Sequence, residues 1–277
     1  MTIIMRVEKF DLYKYFNKEK GENQRADLTI YIQENWHRED KKRPAMLVLA
    51  GGGYRGVSAR EQEPVIVKFL AQGYNVFSLD YSVAPVGYPS QLLEAAMAMA
   101  FIRENAKEFF IFADKLGVIG FSAGGHLACS IGTLYKDQVI KDYLGERASL
   151  CRPDVMVLCY SVILSGEYAH KGSIDVLSKG DEEIVKKVGL DNNVDSETPP
   201  TFLWHTGTDG AVPVENSLFF AKKLRDNGVK FELHVFEDGD HGLSVATLES
   251  NRVHEHVQKW VELCLRWLKK NGFELEA

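Results

Sequence analysis

A serine flanked by glycines lies near the middle of this 277-residue chain, in the pentapeptide Gly120-Phe121-Ser122-Ala123-Gly124. An apolar stretch typical of a strand precedes it, and a run of small residues typical of a helix follows it. Glycines at this spacing allow a sharp strand-to-helix turn that exposes the serine hydroxyl near the helix N-terminus. The placement predicts that Ser122 is a nucleophile, although so short a pattern also arises by chance.

A serine nucleophile needs a base within hydrogen-bonding distance and an acid that orients the base. Asp209 follows a predicted buried strand, and His241 follows the last predicted strand. The order serine, aspartate, histidine is one of the known chain orders of such triads. Taken singly, Asp209 could cap its own loop as an Asx-turn, and His241 could be one loop histidine among eight. Together the three residues predict a catalytic triad.

The tetrahedral intermediate of acyl transfer also needs N–H donors for its oxyanion. One is expected from Ala123, directly after the nucleophile, and the others from Gly52 and Gly53, where the absence of a side chain lets the backbone approach a substrate. The glycine triplet that contains them could equally be a flexible turn. A phosphate-binding loop is disfavoured, because no Gly-Lys-Ser/Thr follows the triplet.

Strand and helix patterns alternate along the chain, which predicts an α/β fold with a mostly parallel central sheet and helices on both faces. Strand patterns occur at 28–33, 45–50, 74–80, 115–119, 154–160, 201–205 and 231–236. Helix patterns occur at 61–71, 90–107, 122–134, 214–227 and 253–270. In such a sheet the reactive groups are expected in loops at the carboxyl ends of the strands.

The length favours a single domain over residues 1–277, and the irregular segment at about 164–197 is typical of a lid insertion. The net charge of −6 argues against a nucleic-acid partner. The first eight residues turn charged almost at once, and no apolar run approaches membrane-spanning length, so a cytoplasmic protein with no membrane partner is expected. The four scattered cysteines suit reduced thiols, and neither a metal nor an organic cofactor is expected.

Several segments together resemble the α/β-hydrolase esterases of the hormone-sensitive-lipase and acetyl-esterase kind, in particular their small carbohydrate-esterase-like branch. The matching segments, between about 45 and 270, are 51–54, 80–85, 120–126, 198–202, 209–213 and 240–242. The resemblance implies Ser122 as nucleophile, His241 as base and Asp209 as orienting acid. It also implies an oxyanion hole formed by Gly52, Gly53 and Ala123.

Two positions depart from the pattern of that family. Ala50 stands before the glycine triplet, where histidine or proline is common, so one interaction that stabilises the loop must be missing or replaced. Ser82 follows the Asp-Tyr pair, where the lipase-like members carry arginine, which favours the carbohydrate-esterase-like branch.

The region before the predicted strand at 45–50 is too short to form a long helical cap over the acyl pocket. We therefore expect an open site that accepts small acyl groups on soluble alcohols, such as acetylated sugars and xylo-oligosaccharides. Tyr54, Tyr81 and Trp204 could line such a site, since sugars stack on aromatic faces, although packing in the core is the default for each. His126 and His205 are expected to be structural.

Two other functions stay open at this point. A serine peptidase of the same fold shares the triad, and a non-catalytic binding protein shares the fold but usually lacks a triad member. The oligomeric state is also open, with a homo-oligomer allowed. The favoured interpretation is an acetyl esterase that acts through an acyl-enzyme.

Overall fold

The computed structural model describes residues 5–35 and 41–275. Within these residues eight strands form one sheet, in the order β1-β2-β4-β3-β5-β6-β7-β8. The strands are β1 (Met5–Asp11), β2 (Ala26–Gln33), β3 (Arg43–Leu49), β4 (Asn75–Tyr81), β5 (Ile111–Phe121), β6 (Val155–Cys159), β7 (Thr201–Thr206) and β8 (Phe231–Phe236). β1, β2 and β4 pair antiparallel, whereas every pair from β4 through β3 to β8 is parallel. The predicted α/β class is therefore confirmed.

Nine α-helices accompany the sheet in the described parts of the chain. They are α1 (Leu12–Tyr15), α2 (Glu63–Leu70), α3 (Ser90–Glu104), α4 (Ala123–Thr133), α5 (Gln138–Leu144), α6 (Lys171–Ser178), α7 (Glu182–Lys187), α8 (Glu215–Asp226) and α9 (Trp260–Lys270). α2 and α9 cover one face of the sheet, and α3, α4 and α8 pack on the other. Helices on both faces explain why every residue of β3 is buried.

Side chains of the central strands alternate between the two faces of the sheet. In β3, Met46 and Val48 join the core under α2 and α9, while Leu47 and Leu49 join the core under α3 and α4. On the side of the larger core, α4 packs very close to the sheet, because it consists mostly of small residues. This alternation fixes the register of each strand.

The structure corrects the sequence-based boundaries in several places. The segment 164–197, expected to be irregular, contains α6 and α7 and a 3₁₀ turn at Leu190–Asn193. The closing helix begins at Trp260 rather than at 253, because Asn251 adopts a left-handed conformation with φ of 52° and residues 251–256 form a loop. The elements β1, α1 and α5 had no counterpart in the prediction. The first four residues, used in the argument on targeting, lie outside the described residues.

The parallel strands bring five loops to one edge of the sheet. β3 ends before the glycine triplet at 51–53, and β5 ends one residue before Ser122. β7 and β8 end before Asp209 and His241 respectively. Since β3, β5, β6, β7 and β8 are successive neighbours, their carboxyl ends form one continuous edge, where the candidate site lies.

Candidate active site

Ser122 occupies a strained turn between β5 and α4. Its φ of 54° and ψ of −118° lie in a region that non-glycine residues rarely adopt. The two glycines of the pentapeptide are required by close backbone contacts. A Cβ on Gly120 would lie 2.2 Å from the Gly124 carbonyl oxygen, and a Cβ on Gly124 would lie 2.2 Å from the Leu49 carbonyl oxygen. The turn thus holds Ser122 at the edge of the sheet at the cost of local strain.

Ser122, His241 and Asp209 form a continuous chain of hydrogen bonds. His241 Nε2 lies 2.9 Å from Ser122 Oγ, and His241 Nδ1 lies 2.7 Å from Asp209 Oδ2. A carboxylate only accepts, so Nδ1 of the neutral imidazole carries the hydrogen and Nε2 is free to accept the Ser122 proton. The structure therefore brings together the three residues predicted as the triad, in the geometry that general-base activation of a serine requires.

Asp209 is a completely buried carboxylate with every oxygen in use. Its Oδ1 accepts from the backbone N–H groups of Ala211 and Val212, both at 2.9 Å. Its Oδ2 faces His241 and, at 3.3 Å, Nε2 of His205. Burial by itself raises the pKa of Asp209, but the hydrogen bonds from the two histidines and from Val212 hold that pKa well below its usual range. Asp209 is thus an anion that can stabilise a positive charge on His241.

The glycine loop after β3 is shaped by positive backbone angles. Gly52 has a φ of 133° and Gly53 a φ of 62°, and a Cβ on Gly52 would lie 2.2 Å from the Gly56 carbonyl oxygen. The N–H groups of Gly52, Gly53 and Ala123 have no hydrogen-bond partner among the described residues. Gly52 and Gly53 line the same cleft as Ser122. Three unpartnered donors around a nucleophile are suited to a developing oxyanion.

Glu61, which the sequence analysis did not identify, connects the glycine loop after β3 to the loop after β8 that carries His241, called the histidine loop below. It is 3% exposed; its Oε2 accepts from the Gly51 N–H and its Oε1 from the Tyr160 hydroxyl, both at 2.7 Å. The same hydroxyl accepts from the Ser244 N–H at 2.9 Å. The Tyr160 ring packs edge-on against the His241 ring. Burial raises the pKa of Glu61, and its hydrogen bonds offset only part of that rise.

The two departures from the family pattern have structural explanations. The Tyr81 hydroxyl donates to the Ala50 carbonyl oxygen at 2.6 Å, so a side chain from β4 and Glu61 together hold the loop. Ser82 is fully buried, and both its N–H and its hydroxyl donate to Glu94 of α3. Ser82 therefore belongs to the packing between β4 and α3.

Tyr54, Tyr81 and Trp204, expected as candidate contacts for a sugar, lie in the core with no exposed surface. The Tyr54 hydroxyl is hydrogen-bonded to His126 at 2.8 Å. The Trp204 ring is stacked on Trp260 with centroids 5.1 Å apart. These three aromatic rings support the site from beneath and present no face to the cleft.

His126 and His205, expected to be structural, are both buried. His126 Nε2 lies 2.9 Å from the Val188 carbonyl oxygen, so Nε2 carries the hydrogen and Nδ1 accepts from Tyr54. Burial lowers the pKa of His126 to about 4, which keeps the ring neutral. His205 Nε2 lies 3.0 Å from the Val212 carbonyl oxygen and orients Asp209.

An open cleft of about 410 Å³ leads to Ser122. Besides Ser122, His241, Gly242 and the glycine loop, it is lined by five residues that the sequence analysis missed: Ser58, Arg60, Glu61, His170 and Arg252. His170 lies just before α6, so the segment 164–197 forms one wall of the cleft. Burial, together with the nearby His241, lowers the pKa of His170. No motif marks these residues, because they come from three segments that are far apart in the chain, before α2, before α6 and before α9.

The described residues offer neither a metal site nor a membrane-spanning helix. No group of His, Cys, Asp and Glu side chains within 5–35 and 41–275 is arranged to hold a metal ion. Over the same residues no helix has the length and apolar character needed to cross a membrane. All four cysteines are free and buried.

Comparison with known proteins supports the fold and the family. The family model described as BD-FAE matches residues 28–224. Endo-1,4-beta-xylanase B of Butyrivibrio fibrisolvens is 39% identical over 77% of this chain and 34% of its own length. Acetylxylan esterase of Xylanibacter ruminicola is 27% identical over 84% of this chain and 47% of its own length. The chain thus spans half or less of these curated relatives.

A solved structure matches over almost the whole chain. The acetyl ester-xyloside bifunctional hydrolase of Caldicellulosiruptor lactoaceticus superposes with a TM-score of 0.87 and 36% identity, covering 99% of this chain and 100% of that one. The eight-stranded sheet and its helices are therefore the α/β-hydrolase fold, as the resemblance implied.

Proposed function

Because the chain belongs to the BD-FAE family, we propose that it is a serine-dependent hydrolase of carboxylic esters with short acyl groups. The observation that carries the proposal is the continuous chain of hydrogen bonds from Asp209 through His241 to the Ser122 hydroxyl. Unpartnered N–H groups on the same cleft supply the complementary requirement of acyl transfer.

In the acylation step, His241 Nε2 accepts the Ser122 proton while Ser122 Oγ attacks the ester carbonyl carbon. The negative charge that develops on the carbonyl oxygen is stabilised by the N–H groups of Ala123, Gly52 and Gly53. The positively charged imidazole is stabilised by Asp209. The tetrahedral intermediate collapses when the bond to the alcohol oxygen breaks and His241 gives its proton to that oxygen.

In the deacylation step, a water molecule takes the place of the alcohol. His241 accepts a proton from the water, whose oxygen attacks the acyl carbon in the same oxyanion hole. Collapse of the second intermediate returns the proton to Ser122 and releases the carboxylic acid. The proposed chemistry needs no group outside this chain except water.

Acetylated sugars, including xylo-oligosaccharides, are the substrates we propose. The names of the xylanase, the acetylxylan esterase and the acetyl ester-xyloside hydrolase support this class. The cleft is open, which suits a bulky soluble alcohol.

Within a single domain over 1–277, the helical segment 164–197 acts as a short lid that borders the cleft. The net charge of −6 supports a small-molecule partner rather than a nucleic acid, and four buried thiols support a cytoplasmic site of action.

A panel of p-nitrophenyl esters from acetate to octanoate, together with acetylated xylo-oligosaccharides, tests the proposal. We expect the acetate to be hydrolysed best and Ser122→Ala to lower turnover by roughly 10³-fold or more. A fluorophosphonate should label the native protein and leave Ser122→Ala unlabelled. Rates that rise steadily toward octanoate contradict the short-acyl proposal, and near-native turnover in Ser122→Ala contradicts the mechanism. Faster cleavage of aminoacyl anilides than of esters would favour a peptidase.

A further inference from the structure

The triad geometry divides the cleft into an acyl side and an alcohol side. The carbonyl oxygen must face the N–H groups of Gly52, Gly53 and Ala123. The alcohol oxygen must lie near His241 Nε2, because this atom donates the proton that the departing alcohol needs. Residues of the cleft next to His241 therefore face the alcohol part of the substrate.

Two arginines lie on this alcohol side. Arg60 and Arg252 both line the cleft together with His241 and Gly242. Arg60 Nη1 lies 3.4 Å from the carbonyl oxygen of Gly242, the residue directly after the base. The backbone of Arg60 is anchored as well, because its carbonyl oxygen accepts from the Ser244 hydroxyl at 2.5 Å. Arg60 thus carries a guanidinium on a fixed piece of backbone beside His241.

Glu61 lines the cleft beside these two cations, and Asp240 pairs with one of them. Both oxygens of Glu61 are used by Gly51 and Tyr160. Within the described parts of the chain Arg60 forms no ion pair. Arg252 lies 3.9 Å from Asp240, whose side chain is 86% exposed, and such a long pair at the surface contributes little. Although the whole chain carries a net charge of −6, the residues that line this cleft include two arginines and one carboxyl group, Glu61.

We propose that Arg60 and Arg252 form a binding site for a carboxylate carried by the alcohol part of the ester, as a sugar bearing a uronic acid would present. A guanidinium offers several N–H donors in a planar arrangement that matches a carboxylate. The inference deepens the proposed ester hydrolysis and rests on it, since the alcohol side is defined by the role of His241. It assigns the substrate as an acidic, acetylated sugar.

The test uses two aryl acetates that differ in the charge of the alcohol part, 4-acetoxybenzoate and 4-acetoxybenzamide. For each, kcat/KM is measured in the native protein and in Arg60→Gln, Arg252→Gln, the double variant and Arg60→Lys. Arg266→Gln, on the exposed surface of α9, is the matched control for the loss of an arginine. Comparing each variant with the native protein cancels the different leaving-group chemistry of the two esters.

We expect each glutamine variant to lower kcat/KM for the benzoate by roughly 3- to 10-fold, mainly through KM, with less than a 2-fold change for the benzamide. Arg60→Lys should retain part of the preference, and 0.5 M NaCl should reduce it. Equal losses for both esters would show that the arginines only support the loop. No loss for either ester would also overturn the proposal.

Two further measurements distinguish a failure of this inference from a failure of the proposed ester hydrolysis. Mono-4-nitrophenyl succinate carries its charge on the acyl side, so a larger arginine effect on this ester overturns the assignment of sides. If the native protein hydrolyses none of the esters, the proposed function fails. Protection of Ser122 against a fluorophosphonate by 4-hydroxybenzoate, compared with 4-hydroxybenzamide, then still decides whether the arginines bind a carboxylate. Equal protection by the two compounds would overturn the carboxylate site.

Discussion

Two buried glutamates, Glu61 before α2 and Glu94 in α3, accept hydrogen bonds from the same kinds of donor, a tyrosine hydroxyl and a backbone N–H. Glu61 accepts from the Tyr160 hydroxyl at 2.7 Å and from one backbone N–H. Glu94, in α3, accepts from the Tyr13 hydroxyl at 2.8 Å and from the Ser82 N–H and hydroxyl. Burial raises the pKa of both carboxyl groups, that of Glu94 to about 7. The local chemistry is the same in the two regions.

The regions differ in what each carboxylate connects. Glu61 joins the glycine loop after β3 to the histidine loop after β8, through Gly51 and Tyr160. Glu94 joins α3 to β4 and to the short helix α1, none of which contributes a triad or oxyanion residue. A buried carboxylate that accepts from a tyrosine thus lies beside the candidate active site in one place and within helix packing in the other. Its position relative to the carboxyl ends of the strands decides which.

Asp209 is a third buried carboxylate. Its substitution should have the largest effect of the three, because it contacts His241 directly. Asp209→Asn removes the anion that orients His241, so we expect kcat to fall by roughly 10³- to 10⁴-fold. Steady-state kinetics with p-nitrophenyl acetate measures the loss. Asp240→Asn is the control, since Asp240 is exposed and neighbours His241 in sequence. If Asp240→Asn abolished activity and Asp209→Asn did not, the orienting acid would be Asp240.

Glu61→Gln should show most clearly that the two glutamates differ in their effect on activity. A glutamine has one acceptor oxygen, so either the Gly51 N–H or the Tyr160 hydroxyl loses its acceptor, and the oxyanion loop shifts. We expect kcat to fall roughly 100-fold with little change in KM, a loss comparable to that of one oxyanion donor. Glu94→Gln should leave both constants within 2-fold. Equal losses in the two variants would mean that Glu61 acts only through stability.

Glu94 and His126 should contribute opposite pH dependences of stability between pH 5 and 7. The pKa of Glu94 is higher in the folded state, about 7, than in the unfolded chain, about 4.3, so its contribution to stability falls by roughly 2 kcal/mol from pH 5 to 7. The pKa of the buried His126 is lower in the folded state, about 4, than in the unfolded chain, about 6.5, so its contribution rises by roughly the same amount. Urea unfolding at several pH values measures the net slope, and Glu94→Gln should leave stability rising by roughly 2 kcal/mol over this range. An unchanged slope in this variant would contradict the titration assigned to Glu94.

The smallest expected effects are those of the two tyrosine hydroxyls. Tyr13→Phe and Tyr160→Phe each remove one hydrogen bond to a buried carboxylate, which should lower the free energy of unfolding by about 1 kcal/mol. Only Tyr160→Phe should also lower kcat, because its hydroxyl holds Ser244 near the base. Thermal unfolding and esterase kinetics on both variants check this. A loss of kcat in Tyr13→Phe would remove the distinction between the regions.

Sequence patterns predicted the parts of the fold that depend on local periodicity. The alternation of apolar strands with helices located seven of the eight strands, since burial on both faces leaves a continuous apolar run. The edge strand β1 was not predicted because four of its seven residues are charged and four of the seven are exposed. The start of α9 was misplaced because the left-handed turn at Asn251 has no strong local signal. The helices in 164–197 are too short to show a clear period.

The same distinction applies to the residues of the candidate site. Ser122 is recognisable because the turn demands glycines at fixed spacing, and Asp209 and His241 because each follows a strand. Glu61 is not recognisable, since it contacts Tyr160, 99 residues away in the chain. Among the aromatic residues, Tyr54 follows β3, Tyr81 ends β4 and Trp204 lies in the second half of β7, so each is close to the edge that carries the triad residues. Nothing local tells whether such a ring faces the cleft or the core.

The sequence by itself determined the order of seven strands and of five helices, the nucleophile turn and the candidate base and acid, because these depend on residues close together in the chain. Only the tertiary structure decided which side chains share the cleft. Parallel pairing places loops from distant segments at one edge, and burial then decides the role of each group. This pairing brings Glu61 beneath the glycine loop, places Arg60 and Arg252 beside His241, and leaves Glu94 in the packing of α3.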